Sequence, residues 1–482
     1  MTCLTNFFNK RLWLTVVLPA LLITGCAHLD QQAVLTMDFF AVEQEHSSPI
    51  GLPVIRWKAA VSGGRGRISY EFRSRMQSVE MLEQRGSSPV WEWMPAKPGI
   101  YEVMVLARDE AGNEVDSGWS APFYVDQPIS RKSTIAVLPL ENLSGEKAPL
   151  EQISSVMIKK LEDLGFHLLA DERLETFRRR HRMRYVGGIN SKLSQAMRDE
   201  AGVDACLITS LEAYQEKYPP QVALIARLVQ TGREPAIVWM DSVGMTGEDA
   251  PGLLGLGRIK NPEKLAARAA GRLIDSLSAR LENVQHGDEQ PFVSRSLPGN
   301  GARQLTGPQG VKRRYLPKDF FRSPAVDPGK VYRVAVVPFF DLAVRKYAGR
   351  IMALHFVKEL HQRANLVVVE PGLVREELFR FRAVMAAGPS LAITDLLTSE
   401  QSLGVDLVLS GKVFDYQGEI GTAKVDFSVQ VFEKYSREVV FASTTYAAGD
   451  QGVFFFNVGR VRSAHNLSDE MTRAAVTTMM SP

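Results

Sequence analysis

Residues 202–217 read "GVDACLITSLEAYQEK", and residues 404–419 read "GVDLVLSGKVFDYQGE". Two further pairs keep the same order along the chain. "AVLPLENL" begins at Ala136 and "AVVPFFDL" at Ala335, while "LGR" ends at Arg258 and "VGR" at Arg460. All three pairs are spaced roughly 200 residues apart, and spacing held over so long a stretch is the mark of a module present twice. In each copy a glycine closes a helical pattern and an apolar strand follows it. The element order read from periodicity is β-α-β-α-α-β-β-β-α, a mixed sheet with helices.

Around that pair the chain divides readily. Its 482 residues fit about three domains, and 45% hydrophobic with 23% charged residues is ordinary globular composition. The net charge of +3 carries no nucleic-acid signal. Residues 1–25 are expected to be a signal peptide: Lys10 and Arg11 precede the apolar run Leu12–Ile23, which is too short for the ~20 residues a spanning helix needs. The run ends in Leu22-Ile23-Thr24-Gly25-Cys26, which resembles the bacterial lipobox. That resemblance implies acylation of Cys26 and a stable membrane anchor, because several acyl chains hold where one is marginal. An ordinary signal with a coincidental cysteine is the alternative. Ala27 after the cysteine implies outer-membrane sorting within this family. With Cys3 leaving in the signal, Cys206 is the remaining thiol, placed in an apolar run and read as a small buried hydrophobe.

Residues 26–32 read as a tether and 33–127 as a β-sandwich of about seven short strands. "GIYEVMVLARD" from Gly99 alternates with period two. Trp57, Trp91 and Trp93 with "PGIYEVMVLARDEAGNE" resemble bacterial immunoglobulin-like domains of the PKD or triple-tyrosine type. Such modules imply a spacer or adhesion role. The first α/β copy is expected over 133–285, with a helix capped by Ser191 and a last helix opened by Asn261-Pro262-Glu263. Residues 286–330, rich in proline and glycine, read as a linker. The second copy is expected over 331–482. In its "KVDFSVQVFEK", Val425, Phe427, Val429 and Val431 alternate with polar residues, so one face of that strand should look outward.

The paired motifs "AVLPLENLSG" with "GVDACLITSL" and "AVVPFFDL" with "GVDLVLSGKV" resemble the periplasmic α/β domain of several bacterial lipoproteins. That group includes the curli-secretion lipoprotein, the penicillin-binding-protein activator lipoprotein and the TolB amino-terminal domain. The motifs mark strand starts and a helix-to-strand turn, and they speak for architecture ahead of activity. A curli-type channel adds long amphipathic hairpins, whereas the hairpin strands here are short with tight turns.

Signatures of catalysis are lacking. No nucleophile elbow, Walker loop or His-Glu-x-x-His motif occurs. No two of the eight histidines fall three or four apart on an expected helix, so no metal pair stands out and no cofactor is expected. Glu141 and Asp341, each after a first strand, read as turn or cap residues. Arg258 and Arg460 each precede a helix start and read either as surface arginines of a loop-to-helix turn or as marking amides that could hold an anion. "FRRRHRMRY" gathers Arg178, Arg179, Arg180, Arg182 and Arg184, either a solvated face or a dock for anionic lipid, lipopolysaccharide, peptidoglycan carboxylates or an acidic partner. The expectation is therefore a non-enzymatic outer-membrane lipoprotein. It faces the periplasm, is anchored through Cys26, and binds an envelope protein or peptidoglycan rather than nucleic acid. The alternative is a homo-oligomeric subunit of an envelope secretion or assembly apparatus.

Overall fold

The structure, a computed structural model, describes residues 34–46, 54–249, 258–285 and 311–481, apart from a few short stretches within those spans. The signal, the tether and Cys26 lie outside the described residues. None of the described helices is long and apolar enough to cross a membrane.

The amino-terminal part holds eight strands in two antiparallel sheets. β1 (Thr36–His46), β2 (Val54–Ser62) and β5 (Val90–Trp93) form one, in the order β1-β2-β5. β4 (Val79–Gly86), β3 (Ser69–Met76), β6 (Gly99–Arg108) and β7 (Glu114–Asp116) form the other, with β8 (Phe123–Val125) also on β6. Trp57, Trp91 and Trp93 of the first sheet meet Tyr70, Phe72, Tyr101 and Val103 of the second in one buried core. The rings pack in sequence: Phe72 to Trp91 at 5.4 Å, Trp91 to Trp93 at 5.2 Å and Trp93 to Tyr101 at 5.0 Å. About seven strands are expected here and eight occur among the described residues, β4 being one of them. Its sequence, VEMLEQRG, is exposed almost throughout and has no buried face to leave a period-two trace.

The first α/β unit runs β9 (Thr134–Val137), β10 (Glu141–Asn142), α1 (Leu150–Asp163), β11 (His167–Leu168), α2 (Asp171–Arg180), α3 (Ser191–Ala201), β12 (Ala205–Gln215), β13 (Gln221–Gln230), β14 (Ala236–Thr246) and α4 (Pro262–Gln285). Its sheet order is β11-β9-β12-β13-β14, parallel on the β9 side and antiparallel through the hairpins. The second unit runs β16 (Tyr332–Val336), β17 (Phe340–Asp341), α5 (Ala348–His361), β18 (Leu366–Val368), α6 (Pro371–Arg380), α7 (Leu391–Thr398), β19 (Leu407–Gln417), β20 (Lys424–Glu433), β21 (Val439–Ala448) and α8 (Ala464–Met480). Its sheet pairs in the same way, and the registers correspond: Ala136 faces Cys206 in one unit as Ala335 faces Val408 in the other. Gly202 and Gly404, which lead into β12 and β19, both adopt the left-handed conformation at φ 65° and 58°. The α3 cap is Asn190, whose Oδ1 accepts from the Leu193 amide, one residue ahead of the expected Ser191. Asn261 caps α4 as its sequence indicates.

The span 286–330 is a linker in expectation only. Residues 286–310 lie outside the described residues. From Val311 onward the chain is built into the fold: a 3-10 turn at Arg313–Tyr315 buries Tyr315, and β15 (Asp319–Arg322) pairs antiparallel with β21. Four residues of edge strand among prolines are too few to give a periodic signal.

The two units stack. Along β12, Ala205, Leu207 and Leu211 share a core with Leu161 of α1 and Leu273 of α4. Cys206 and Ile208 belong to a second core, which takes in Phe177 and Met197 of the first unit. That core continues into Ile351 and Phe356 of α5, Leu467 and Met471 of α8, and Leu409 and Phe427 of the second sheet. Helices α5 and α8 therefore lie between the two sheets and contact β14. Each fully buried side chain of this size contributes about 1.5–3 kcal/mol. The far face of the second sheet carries α6 and α7 over β16 and the start of β19. Among the described residues, no helix covers its hairpin half, whose outward side chains are exposed or half-buried. Every residue of β13 is buried, whereas β20 alternates buried with half-buried as its sequence predicts.

Candidate functional site

Among the described residues two places gather polar chemistry, and one of them holds the arginine run visible in the sequence. α2 ends at Arg180 because Arg182 takes a left-handed conformation at φ 50° and turns the chain. The turn and the last helical turn form a cleft of about 350 Å³ lined by Arg178, Arg179, Arg182, Arg184, Glu175 and Met183. Glu175 accepts from Arg178 at 2.8 Å and from Arg179 at 2.9 Å, leaving four guanidinium groups against one carboxylate. Arg179 is 79% exposed, and Arg182 and Arg184 are exposed as well. Arg180 is not part of the cleft. It reaches Glu200 of α3 at 3.1 Å, alongside His181, which stacks on Phe177.

Arg258 and Arg460 stand apart from the cleft. Arg258 is exposed and Arg460 is half-buried, donating to Thr422 Oγ1 at 3.5 Å. The helix starts beyond them are already capped by Asn261 and Ser463. The glycine turns before these arginines lie outside the described residues. Glu141 is no turn residue: it is buried, accepts from Ser210 Oγ at 2.9 Å and pairs with Arg350 of α5. Asp341 is exposed. Cys206 is fully buried against Met197, and burial pushes its thiol far above the usual range.

The second place is the junction of the two units, a polar seam in an apolar core. Arg227 of β13 donates Nε and Nη2 to the two carboxylate oxygens of Glu370 at 2.9 and 2.8 Å, and Nη2 also donates to the Gly187 carbonyl at 2.8 Å. Gly188 and Gly372 meet backbone to backbone beside this pair. A Cβ on Gly372 would stand 2.2 Å from the Ile189 carbonyl oxygen. Tyr185 lies between Arg350 and Arg375, whose guanidinium carbons sit 5.5 and 3.9 Å from its ring centre.

At the hairpin end of the seam, Glu212 occupies a β-bulge between Leu211 and Ala213. A bulge places successive side chains on one face and re-aims them. Glu212 Oε2 contacts His465 Nδ1 of α8 and stands 3.4 Å from His355 Nε2 of α5. His355 Nδ1 lies 2.5 Å from Asp469 Oδ1. Asp469 Oδ2 accepts from Ser242 Oγ at 3.0 Å and pairs with Lys358 Nζ at 2.7 Å. Burial alone would lower His355, but the Glu212 and Asp469 carboxylates raise it to about 9. Burial would raise Glu212, and the two imidazoles outweigh it to hold the carboxyl well below its usual range. Among the described residues, Glu212, His355 and His465 form a group able to hold a metal ion. Helical histidine spacing could not find them, since they sit on three elements; the one local trace is an acid inside an otherwise apolar strand.

Neither a family model nor a curated protein matches the chain. Among solved structures, the PelC dodecamer from Paraburkholderia phytofirmans is 13% identical, covering 34% of this chain and 96% of that one, with a TM-score of 0.23. Lipoprotein GNA1162 from Neisseria meningitidis is 18% identical over 31% of this chain and 97% of that one, with a TM-score of 0.24. The LpoB C-terminal domain from Salmonella enterica is 16% identical over 25% and 87%, with a TM-score of 0.21.

Proposed function

We propose that this chain is a lipid-anchored, non-catalytic binding lipoprotein of the outer membrane that faces the periplasm. In this reading Cys26 carries the anchor, the immunoglobulin-like sandwich over 33–127 is a spacer, and one α/β module occurs twice, over 133–285 and 331–482. The stacked modules act as one body, and the arginine cleft at the end of α2 is its contact surface for an anionic envelope component. The observation that carries the reading is the composition of that cleft, four arginines against one carboxylate. Unpaired guanidinium groups bind phosphate or carboxylate through directed, charge-assisted hydrogen bonds. Co-sedimentation of the protein with purified peptidoglycan sacculi, and with vesicles of anionic or zwitterionic lipid, tests it. Binding to at least one anionic surface, weakened by salt and lost in Arg182→Ala/Arg184→Ala, is expected. Equal binding by that variant, or equal binding to zwitterionic vesicles, contradicts it.

A second reading, an oligomeric assembly subunit, is favoured by the stacking itself. The sheet face on the first unit that receives α5 and α8 corresponds to the face of the second unit that bears Lys412, Phe414, Ser428, Thr444 and Tyr446, all exposed or half-buried. A head-to-tail contact repeated on an open face builds rings or filaments. Light scattering on the delipidated protein decides between the two, since a discrete ring supports the subunit and a monomer the first reading.

A further inference from the structure

We propose that Glu212, His355 and His465 bind one divalent transition-metal cation of the zinc class, which staples the two α/β units together. The three residues come from β12 of the first unit and from α5 and α8 of the second, so a bound ion would bridge the junction. Their side chains are 1%, 0% and 2% exposed, and one ligand atom from each lies within 4.8 Å of the other two. Two ligand atoms each ~2.0 Å from a tetrahedral zinc stand about 3.3 Å apart. The distance from His355 Nε2 to Glu212 Oε2 is 3.4 Å.

The hydrogen-bond inventory points to the same ligand. Glu212 Oε1, His355 Nε2 and His465 Nε2 are buried, and none has a hydrogen-bond partner. Buried polar atoms are normally satisfied, so orphans in a cluster of ligand-type groups call for an explanation. A cation seated between Glu212 and the two imidazoles would answer His355 Nε2, whereas His465 Nε2 faces the Asp469 carboxylate at 3.8 Å. Asp469 supplies the outer support that metal-bound histidines have. It takes the Nδ1 proton of His355 and thereby fixes the tautomer whose Nε2 lone pair faces the cluster. Lys358 and Ser242 in turn hold Asp469 in place. His465 turns Nδ1 toward Glu212, so Nδ1 is the atom it would offer the ion in place of that contact. Two imidazoles with one carboxylate suit zinc, cobalt, nickel or copper, and not the all-oxygen preference of magnesium or calcium. Walled in by α5, α8 and the first sheet, the ion would be structural.

Cobalt(II) is the probe. The full chain, stripped with chelator and titrated with Co²⁺, should develop visible d–d absorption that saturates at one equivalent, and Zn²⁺ should bleach it. Zn²⁺ should also raise the melting temperature of the stripped protein. His355→Gln and His465→Gln should lose both responses. Asn190→Ala, which removes a junction hydrogen bond to Glu376 away from the cluster, should keep them. Circular dichroism of the glutamine variants separates loss of the site from loss of the fold, and Glu212→Gln offers a variant of unchanged volume. No cobalt absorption and no zinc-dependent shift in the wild type, or a cobalt spectrum that persists in a folded His465→Gln variant, overturns the proposal.

Discussion

Arg227 and Glu370, 143 residues apart, form a two-pronged ion pair in which the side chains are 1% and 0% exposed. The pair ties β13, the central strand of the first unit's hairpins, to the start of α6 in the other unit, where Glu370 also accepts from the Gly372 amide. Such a pair adds little over a well-packed apolar substitute, but removing one member strands a buried charge. Arg227→Met or Glu370→Leu alone is therefore expected to lower stability by about 3–5 kcal/mol in urea unfolding.

A close backbone approach between the units depends on glycine. Gly372→Ala would drive a methyl group into the Ile189 carbonyl, with Gly188 behind it. We expect a loss of about 1–3 kcal/mol, typical of overpacking. Gly86→Ala, where a Cβ meets nothing within 4 Å, should stay within about 0.5 kcal/mol of the wild type. Parallel thermal melts compare the two.

Much of this fold is written locally. The glycine-to-strand turns at Gly202 and Gly404, the Asn261 cap and the alternation in β20 are each short-range patterns set by backbone sterics or by one buried face. The seam is different in kind. Glu212 and His465 are 253 residues apart, and nothing local to either tells of the other. Arg227 does leave a mark, a lone arginine in the middle of "QVALIARLVQ", where every residue is buried. A charge in such a run demands a partner, although its identity comes only with the tertiary structure. The arginine cluster, by contrast, was legible as a run. Structure divides it, turning Arg180 toward Glu200 and gathering the other four.

The left-handed Arg182 separates stability from binding. A non-glycine residue in this conformation is strained by the contact of its Cβ with the backbone. Arg182→Gly is expected to raise stability by up to about 1 kcal/mol. The same change should weaken binding to the anionic surface. Thermal melts and co-sedimentation on one variant check both directions.

Acid should loosen the junction through His361. Burial and the nearby Arg280 guanidinium lower its imidazole to about 4. The unfolded chain, with a pKa of about 6.5, binds the proton more readily. Stability from keeping this group neutral is thus complete above about pH 6.5 and is lost as pH falls toward 4. A His361→Asn variant should show a flatter stability profile between those values than the wild type. Urea midpoints across the range measure it.

The stacking of the two units into one body is tested most directly by a double-mutant cycle on Arg227 and Glu370 in the full chain. If the units meet as described, Arg227→Met/Glu370→Leu costs no more than either single change, giving a coupling energy of about 3 kcal/mol or more. If the units sit apart, the two changes add to within about 0.5 kcal/mol, and that result would contradict the account.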